Sequence, residues 1–404
     1  MIIKKMFICF IVFTFLFTPN IINASETELE LSSEHIVVYN LDEHRPIYQQ
    51  NADEKVSIAS ITKVMSAITV LDHCDDLDEM ITIKEKVFDG TEGYSMMGLQ
   101  VGDCISIKDL LYGLMLPSGA DAANALALYT AGSIPKFAEM MNKKAKELKM
   151  NDSHFDNPVG ADSKKNYATA NDLTKLLLYG LDNPVFKEIY TTRKYRIEHL
   201  DIDLESTLLY YQENYDFDIS KILGSKTGFT YDAGPCLSSI AEYEGIHYLM
   251  IVLGSDVEKR YSAVQDSLTL YDYYAKNYGI HQIVDKDDLL LKLPIKHGFE
   301  KEYCIYAQDD IKAYLKNDFQ AADIQISFNG VSELTYKIKE QDKLGTITIR
   351  HQDEVLHQFE VILQQKLYYY DVILIAMSII LSVGLLLWFI MKKYLKKKVK
   401  NIQR

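Results

Sequence analysis

The sequence contains no Cys-x-x-Cys pair and no cysteine or histidine run at metal-finger spacing. Gly-x-Ser-x-Gly and His-Glu-x-x-His are missing too, so neither a hydrolase nucleophile elbow nor a zinc-peptidase helix is present. The ten histidines are scattered without ligand spacing, and His154 with the rest reads as a surface or satisfied structural residue. No Gly-rich loop suits a phosphate, and there is no internal repeat or low-complexity linker. These gaps exclude metal and nucleotide chemistry as the sequence's theme. No cofactor and no metal is expected.

What is present begins at the two ends. Lys4 and Lys5 precede the apolar run Met6 to Phe17, and Ala24 supplies a small exit residue. That is the layout of a secretory signal peptide over residues 1–24, and the run is too short to span a bilayer. Val372 to Met391 is uncharged and apolar, long enough for a transmembrane helix at 372–391. Tyr368, Tyr369 and Tyr370 precede it and Trp388 lies near its far end, as interfacial aromatics do. Seven basic residues and no acid follow in the tail, 392–404. The positive-inside rule puts that tail in the cytoplasm and the body outside, a single-pass membrane protein.

With the signal and tail set aside, 34 basic residues face all 57 acidic ones, about −23 for the exported body. Such a surface argues against nucleic acid as a partner, and no protein partner is indicated. Cys9 leaves with the signal. Of the remaining Cys74, Cys104, Cys236 and Cys304, a Cys74–Cys104 bridge is conceivable. Unpaired buried thiols are the preferred reading, since a chain this long needs no covalent staple. The many tyrosines read as packing and rim residues.

Two regions lie between the ends. The first opens with a strand at His35 to Asn40. Helical periodicity follows at Ile61 to Leu71, Ile107 to Met115, Ala120 to Tyr129 and Phe137 to Leu148. A hairpin, Cys236 to Ala241 and His247 to Leu253, turns at Glu244-Gly245, and a helix from Lys259 to Tyr274 closes the region. Strands at both ends of a helical middle predict one sheet shared by the two ends. The second region is strand-rich, with candidates at Ile324 to Phe328, Leu334 to Ile338, Gly345 to Arg350 and Val355 to Leu363.

The chemistry starts with Ser60-Ile61-Thr62-Lys63 at the head of a helix. Residues three apart share a helix face, so the lysine amine reaches the serine hydroxyl. A serine needs such a base, and burial can keep a lysine neutral enough to act as one. Ser-x-x-Lys alone is weak, and Ser133-Ile134-Pro135-Lys136 is a decoy, its proline suited to a helix's first turn. Two companions lift Ser60 above the decoy. Lys226-Thr227-Gly228 precedes the hairpin, offering a fixed cation for a carboxylate, a hydroxyl, and a glycine that lets substrate lie near the backbone. Ser118-Gly119-Ala120 sits at a break between helices, where Ser118 can relay a proton. The three motifs in this order match the Ser-x-x-Lys, Ser-x-Asn, Lys-Thr-Gly set.

The longer stretches ASITKVMSA, LLYGLMLPSGADAANALA, MNKKAKELKMNDSHFDNPVG, GSKTGFTYDAGPCL and VLGS resemble the low-molecular-mass penicillin-binding proteins, serine-type D-alanyl-D-alanine carboxypeptidases. The β-rich region, with LGTITI, resembles that family's second domain. The resemblance implies an α/β (α+β) transpeptidase-like, β-lactamase-like catalytic domain at 25–280 and a small all-β sandwich at 285–365. It implies Ser60 as nucleophile, Lys63 as proton acceptor, Ser118 in the proton path, and Lys226, Thr227 and Gly228 as the substrate-binding strand. Peptidoglycan stem peptides are the implied substrates and β-lactams the inhibitors. Ala120 departs from the family pattern, which has Asn there; Asn124, four residues on, is the nearest candidate amide. That departure keeps a weakly active wall scaffold open as an alternative, beside a β-lactamase.

Overall fold

The computed structural model describes residues 29–402, with side chains through 396; the expected signal peptide, with its Cys9, and Arg404 lie outside the described residues. The chain runs through β1 (His35–Asn40), β2 (Arg45–Gln50), a 3-10 turn (Ala59–Ile61), α1 (Thr62–Leu71), β3 (Met80–Thr82) and β4 (Cys104–Ser106). Five helices follow: α2 (Ile107–Met115), α3 (Ala120–Ala131), α4 (Ile134–Glu147), α5 (Ala170–Leu181) and α6 (Pro184–Thr191). The hairpin β5 (Lys194–Ile197) and β6 (Ile202–Glu205) and the short α7 (Leu209–Tyr215) lead to β7 (Ile222–Thr230), β8 (Gly234–Tyr243), β9 (Ile246–Leu253) and α8 (Ser262–Asn277).

One antiparallel sheet, ordered β2-β1-β9-β8-β7, joins the two ends of this region as the sequence pattern implied. Period-2 alternation in β9 divides its side chains between two cores. Leu249, Ile251 and Leu253 pack with α1 to α6, whereas Tyr248, Met250 and Val252 pack against α8. Helix α1 is the buried axis of the first core; every residue from Thr62 to Val70 is buried. Strand β7 is the sheet edge and packs against the 3-10 turn that leads into α1.

The second region continues with β10 (Tyr278–Val284), β11 (Leu289–Pro294), β12 (Glu302–Tyr306), β13 (Ile311–Lys316), β14 (Ile324–Gly330), β15 (Lys343–His351) and β16 (Glu354–Ile362). These form three small antiparallel sheets around one core that includes Leu293, Leu334, Ile347 and Leu363. Leu334 to Ile338, expected as a strand, is not one. Leu334 makes a single bridge to Ile295 and plugs the core, and the chain then turns with Ile338 N donating to Thr335 O.

Tyr314 of β13 crosses to the second core of the first region. Its N–H donates to Glu43 (3.1 Å) and its carbonyl accepts from Arg45 (2.8 Å) in the β1–β2 turn. Arg45 also pairs with Glu354 at the start of β16. Finally, α9 (Tyr370–Ile402) leaves the body, and its apolar stretch is unburied. The four described cysteines are unpaired, but only Cys236 is fully buried and Cys104 is exposed, so the expectation of buried thiols holds for one of them.

Candidate active site

Ser60 lies in the 3-10 turn that feeds α1, where Ala59 takes a left-handed φ of 45°. This is an unusual conformation for a residue with a Cβ, and it sets the serine at the positive end of a buried helix. One turn on, the Lys63 side chain is buried, and its Nζ stands 3.0 Å from Ser60 Oγ. The same Nζ donates to the Val159 carbonyl at 2.6 Å. Burial lowers the Lys63 pKa to about 7, against an opposing pull from the Asp121 carboxylate. Near neutral pH a large share of the amine is therefore free to accept the hydroxyl proton.

No side-chain motif in the sequence marks the loop bearing Val159 as part of the site. Asn157 Oδ1 accepts from the N–H groups of Val159, Gly160 and Ala161 (3.2, 2.8 and 2.9 Å), curling the loop so that its carbonyls face α1. Ser66 Oγ donates to Pro158 O (2.8 Å) beside the Lys63 contact. Gly160 has φ +84° and presses on the Ala59–Ser60 peptide, where an added Cβ would fall 2.0 Å from Ala59 O. The available sequence signal was the Asn-Pro turn and the following glycine.

Ser118 sits between α2 and α3, buried and at φ 64°. Among the described residues no hydrogen bond ties its hydroxyl to Lys63 or Ser60. Gly119 is confined: a Cβ there would meet Asp121 Oδ1 at 2.7 Å and Gly113 O at 2.9 Å. Ala120 is fully buried and its N–H donates to Ser95 O (2.7 Å). Asp121, also missed, is fully buried and accepts from Met97, Gly98 and Leu99 N–H groups (2.9, 3.1 and 3.1 Å). It thus fixes the loop packed against the head of α3 and supplies the negative charge felt by Lys63. Asn124 does not stand in for the motif amide. Its Nδ2 is spent on the carbonyls of Val87 (3.0 Å) and Asp89 (3.2 Å).

Lys226, Thr227 and Gly228 occupy edge strand β7. Lys226 is 1% exposed, and its Nζ donates to Thr227 O (2.8 Å). Burial pushes its pKa well below the ordinary lysine value, and the Lys63 charge pushes it further. Thr227 Oγ1 is 2.5 Å from Thr207 Oγ1, and Thr207 N donates to Leu116 O (3.0 Å), linking this strand to the segment before Ser118. Gly228 lies against Ser60: a Cβ there would stand 3.1 Å from Ser60 N. Ser60, Lys63 and the Lys-Thr-Gly strand are thus assembled around one point. The decoy resolves differently, since Ser133 caps α4 by accepting from Lys136 N (3.4 Å). Among the described residues no cluster of metal-ligating side chains occurs.

Comparison with known proteins supplies the family. The model for D-alanyl-D-alanine carboxypeptidases, Peptidase S11, matches residues 22–257, and so spans both lysine motifs and more than half the chain. The chain belongs to the D-alanyl-D-alanine carboxypeptidase family. It is a serine-type peptidase of the low-molecular-mass penicillin-binding group. It is 26% identical over 342 residues to the D-alanyl-D-alanine carboxypeptidase DacF of Bacillus subtilis, covering 82% of this chain and 84% of that one. The solved DacD carboxypeptidase of Francisella tularensis superposes with a TM-score of 0.67 at 22% identity, covering 84% and 94% of the two chains. Penicillin-binding protein 5 of Haemophilus influenzae gives 0.63 at 19% identity, over 83% and 98%. At those identities the structural matches establish the fold, which includes the β-rich second region.

Proposed function

We propose that this protein removes the terminal D-alanine from peptidoglycan stem peptides through an acyl-enzyme on Ser60. Neutral Lys63 takes the Ser60 proton as Oγ attacks the carbonyl between the two D-alanines. The C–N bond breaks, the leaving amine takes a proton delivered through Ser118, and water then hydrolyses the ester. Lys226 receives the substrate's free carboxylate, whose charge restores the proton that burial disfavours. The Ser60 N–H, with a backbone N–H on β7, stabilises the oxyanion, and the absence of a side chain at Gly228 keeps that approach open. β-Lactams acylate the same serine.

The observation that carries this reading is the buried Lys63 amine 3.0 Å from Ser60 Oγ. A lysine drawn to about 7 beside a serine supports an enzyme over a wall-binding scaffold, although Ala120 lacks the family's amide. We assign residues 25–280 to catalysis and 285–365 to a β-rich spacer, with the 372–391 segment as membrane anchor, the body outside and the basic tail inside. Release of many D-alanines per protein molecule from a pentapeptide tests the activity; no release, or a single equivalent with the acyl ester accumulating on the protein, would reject it. External protease on wall-stripped cells should remove the body and spare a tag at Arg404, and loss of that tag without lysis would reverse the orientation.

A further inference from the structure

The loop between β11 and β12 is tied to the start of α9. Phe299 N donates to Tyr368 O (3.1 Å), Tyr370 N donates to His297 O (2.9 Å), and Gly298 and Tyr369 form an antiparallel bridge. His297 Nδ1 lies 3.1 Å from Asp371 Oδ2 in the first turn of the helix. No free linker therefore separates body from helix at this point. Three large aromatics crowd the junction yet stay in the open: Phe299 is 65% exposed, Tyr368 66% and Tyr370 43%. The Phe299 and Tyr370 rings meet edge to face at 6.3 Å.

Their height relative to a bilayer follows from the helix. Tyr370 precedes Val372, the first residue of the apolar stretch, by two residues, about 3 Å of axial rise. The uncharged stretch from Val372 to Met391 is about 30 Å long as a helix, the thickness of the hydrocarbon layer, so Tyr370 and Asp371 just before it lie in the interfacial zone. Phe299, in ring contact with Tyr370, is then at the same depth, although it is over seventy residues away in sequence and belongs to the β-rich body. Exposed Phe in water is costly, whereas aromatic rings are favoured at this level.

We propose that the Phe299 loop is a second membrane contact: Phe299, Tyr368 and Tyr370 together dock into the interfacial layer of the bilayer that α9 crosses. The body is thereby seated on the membrane at a fixed tilt instead of swinging from a single helix. The proposal rests on the reading of α9 as a membrane span.

The test uses the full chain in lipid bilayers containing spin-labelled lipid, with the label either near the headgroup or at the bilayer centre. Trp388 is the sole tryptophan, so the unsubstituted protein first reports on the helix. Phe299→Trp, made with Trp388→Phe, reports on the loop, and Tyr306→Trp in the same background marks an exposed site on β12. Folding of each variant is checked by labelling with a fluorescent penicillin. The headgroup label should quench Phe299→Trp at least threefold more than Tyr306→Trp, and emission should shift to the blue. Equal, weak quenching at both sites, with Trp388 still quenched, would overturn the loop contact and leave the span intact. Trp388 unquenched by either label would overturn both.

Discussion

Lys63 and Lys226 share one buried electrostatic neighbourhood: both are 1% exposed, and the charge on Lys63 drives Lys226 further below its ordinary pKa. Two ammonium groups cannot both be held there comfortably, so the site favours one neutral amine and one cation. Lys63, drawn to about 7, titrates in the working pH range, and a substrate carboxylate held at Lys226 would favour the cation there and the neutral amine at Lys63.

The pH dependence of acylation follows. The neutral form of Lys63 grows as pH rises through about 7, so acylation by a penicillin should rise across that pH and level off above it. Deprotonation of Lys226, also lowered, should bring a decline before the ordinary lysine range is reached. Lys63→Arg, always charged, should lose about 10²–10⁴-fold in rate at every pH. A flat profile between pH 5.5 and 8.5 in stopped-flow acylation would remove Lys63 as the base.

Lys226→Gln keeps length and removes the charge. A charge-assisted hydrogen bond is worth about 1.5–3 kcal/mol, so acylation efficiency should fall roughly ten- to a hundredfold. The loss should shrink for a substrate amidated at its C-terminus, which has no carboxylate to hold. Equal losses on both substrates would show that Lys226 acts by packing.

Ala120 and Asn124 separate chemistry from architecture. Ala120 is fully buried, so Ala120→Asn must fit an amide into packed space; the expected change in acylation is a gain or near-neutrality, within about 2 kcal/mol either way. Asn124→Ala strands the Val87 and Asp89 carbonyls and should cost about 1–3 kcal/mol in stability while acylation of the folded protein is kept. Urea unfolding beside acylation kinetics distinguishes the two. A large acylation defect in folded Asn124→Ala would make that residue part of the site after all.

The legible part of this site was the part made of side chains at fixed spacing. Ser60 with Lys63, and Lys226 with Gly228, could be read from motif order, and the shared sheet from strands at both ends of a helical middle. What escaped works through the backbone. Val159 contributes a carbonyl, which any residue could supply, and only the Asn157 cap and the bare Gly160 make that carbonyl available to Lys63. Asp121 escaped because its charge is spent on three N–H groups of a loop more than twenty residues back. Leu334 misled because one buried apolar residue in a turn carries the same alternation as a strand. Tyr314, which locks the β-rich region to the β1–β2 turn, is one tyrosine among 28 until the fold brings Glu43 and Arg45 to it.

Everything in the proposed reaction depends on Ser60 becoming the ester. The direct measurement is intact-protein and peptide mass spectrometry after brief exposure to a penicillin, run on the natural sequence, Ser60→Ala and Ser133→Ala. One penicilloyl group should appear on the peptide containing Ser60, persist in Ser133→Ala, where only a helix cap is lost, and vanish in Ser60→Ala. An adduct of equal yield in Ser60→Ala, or one carried by Ser118 or Ser133 in the natural sequence, would contradict the account.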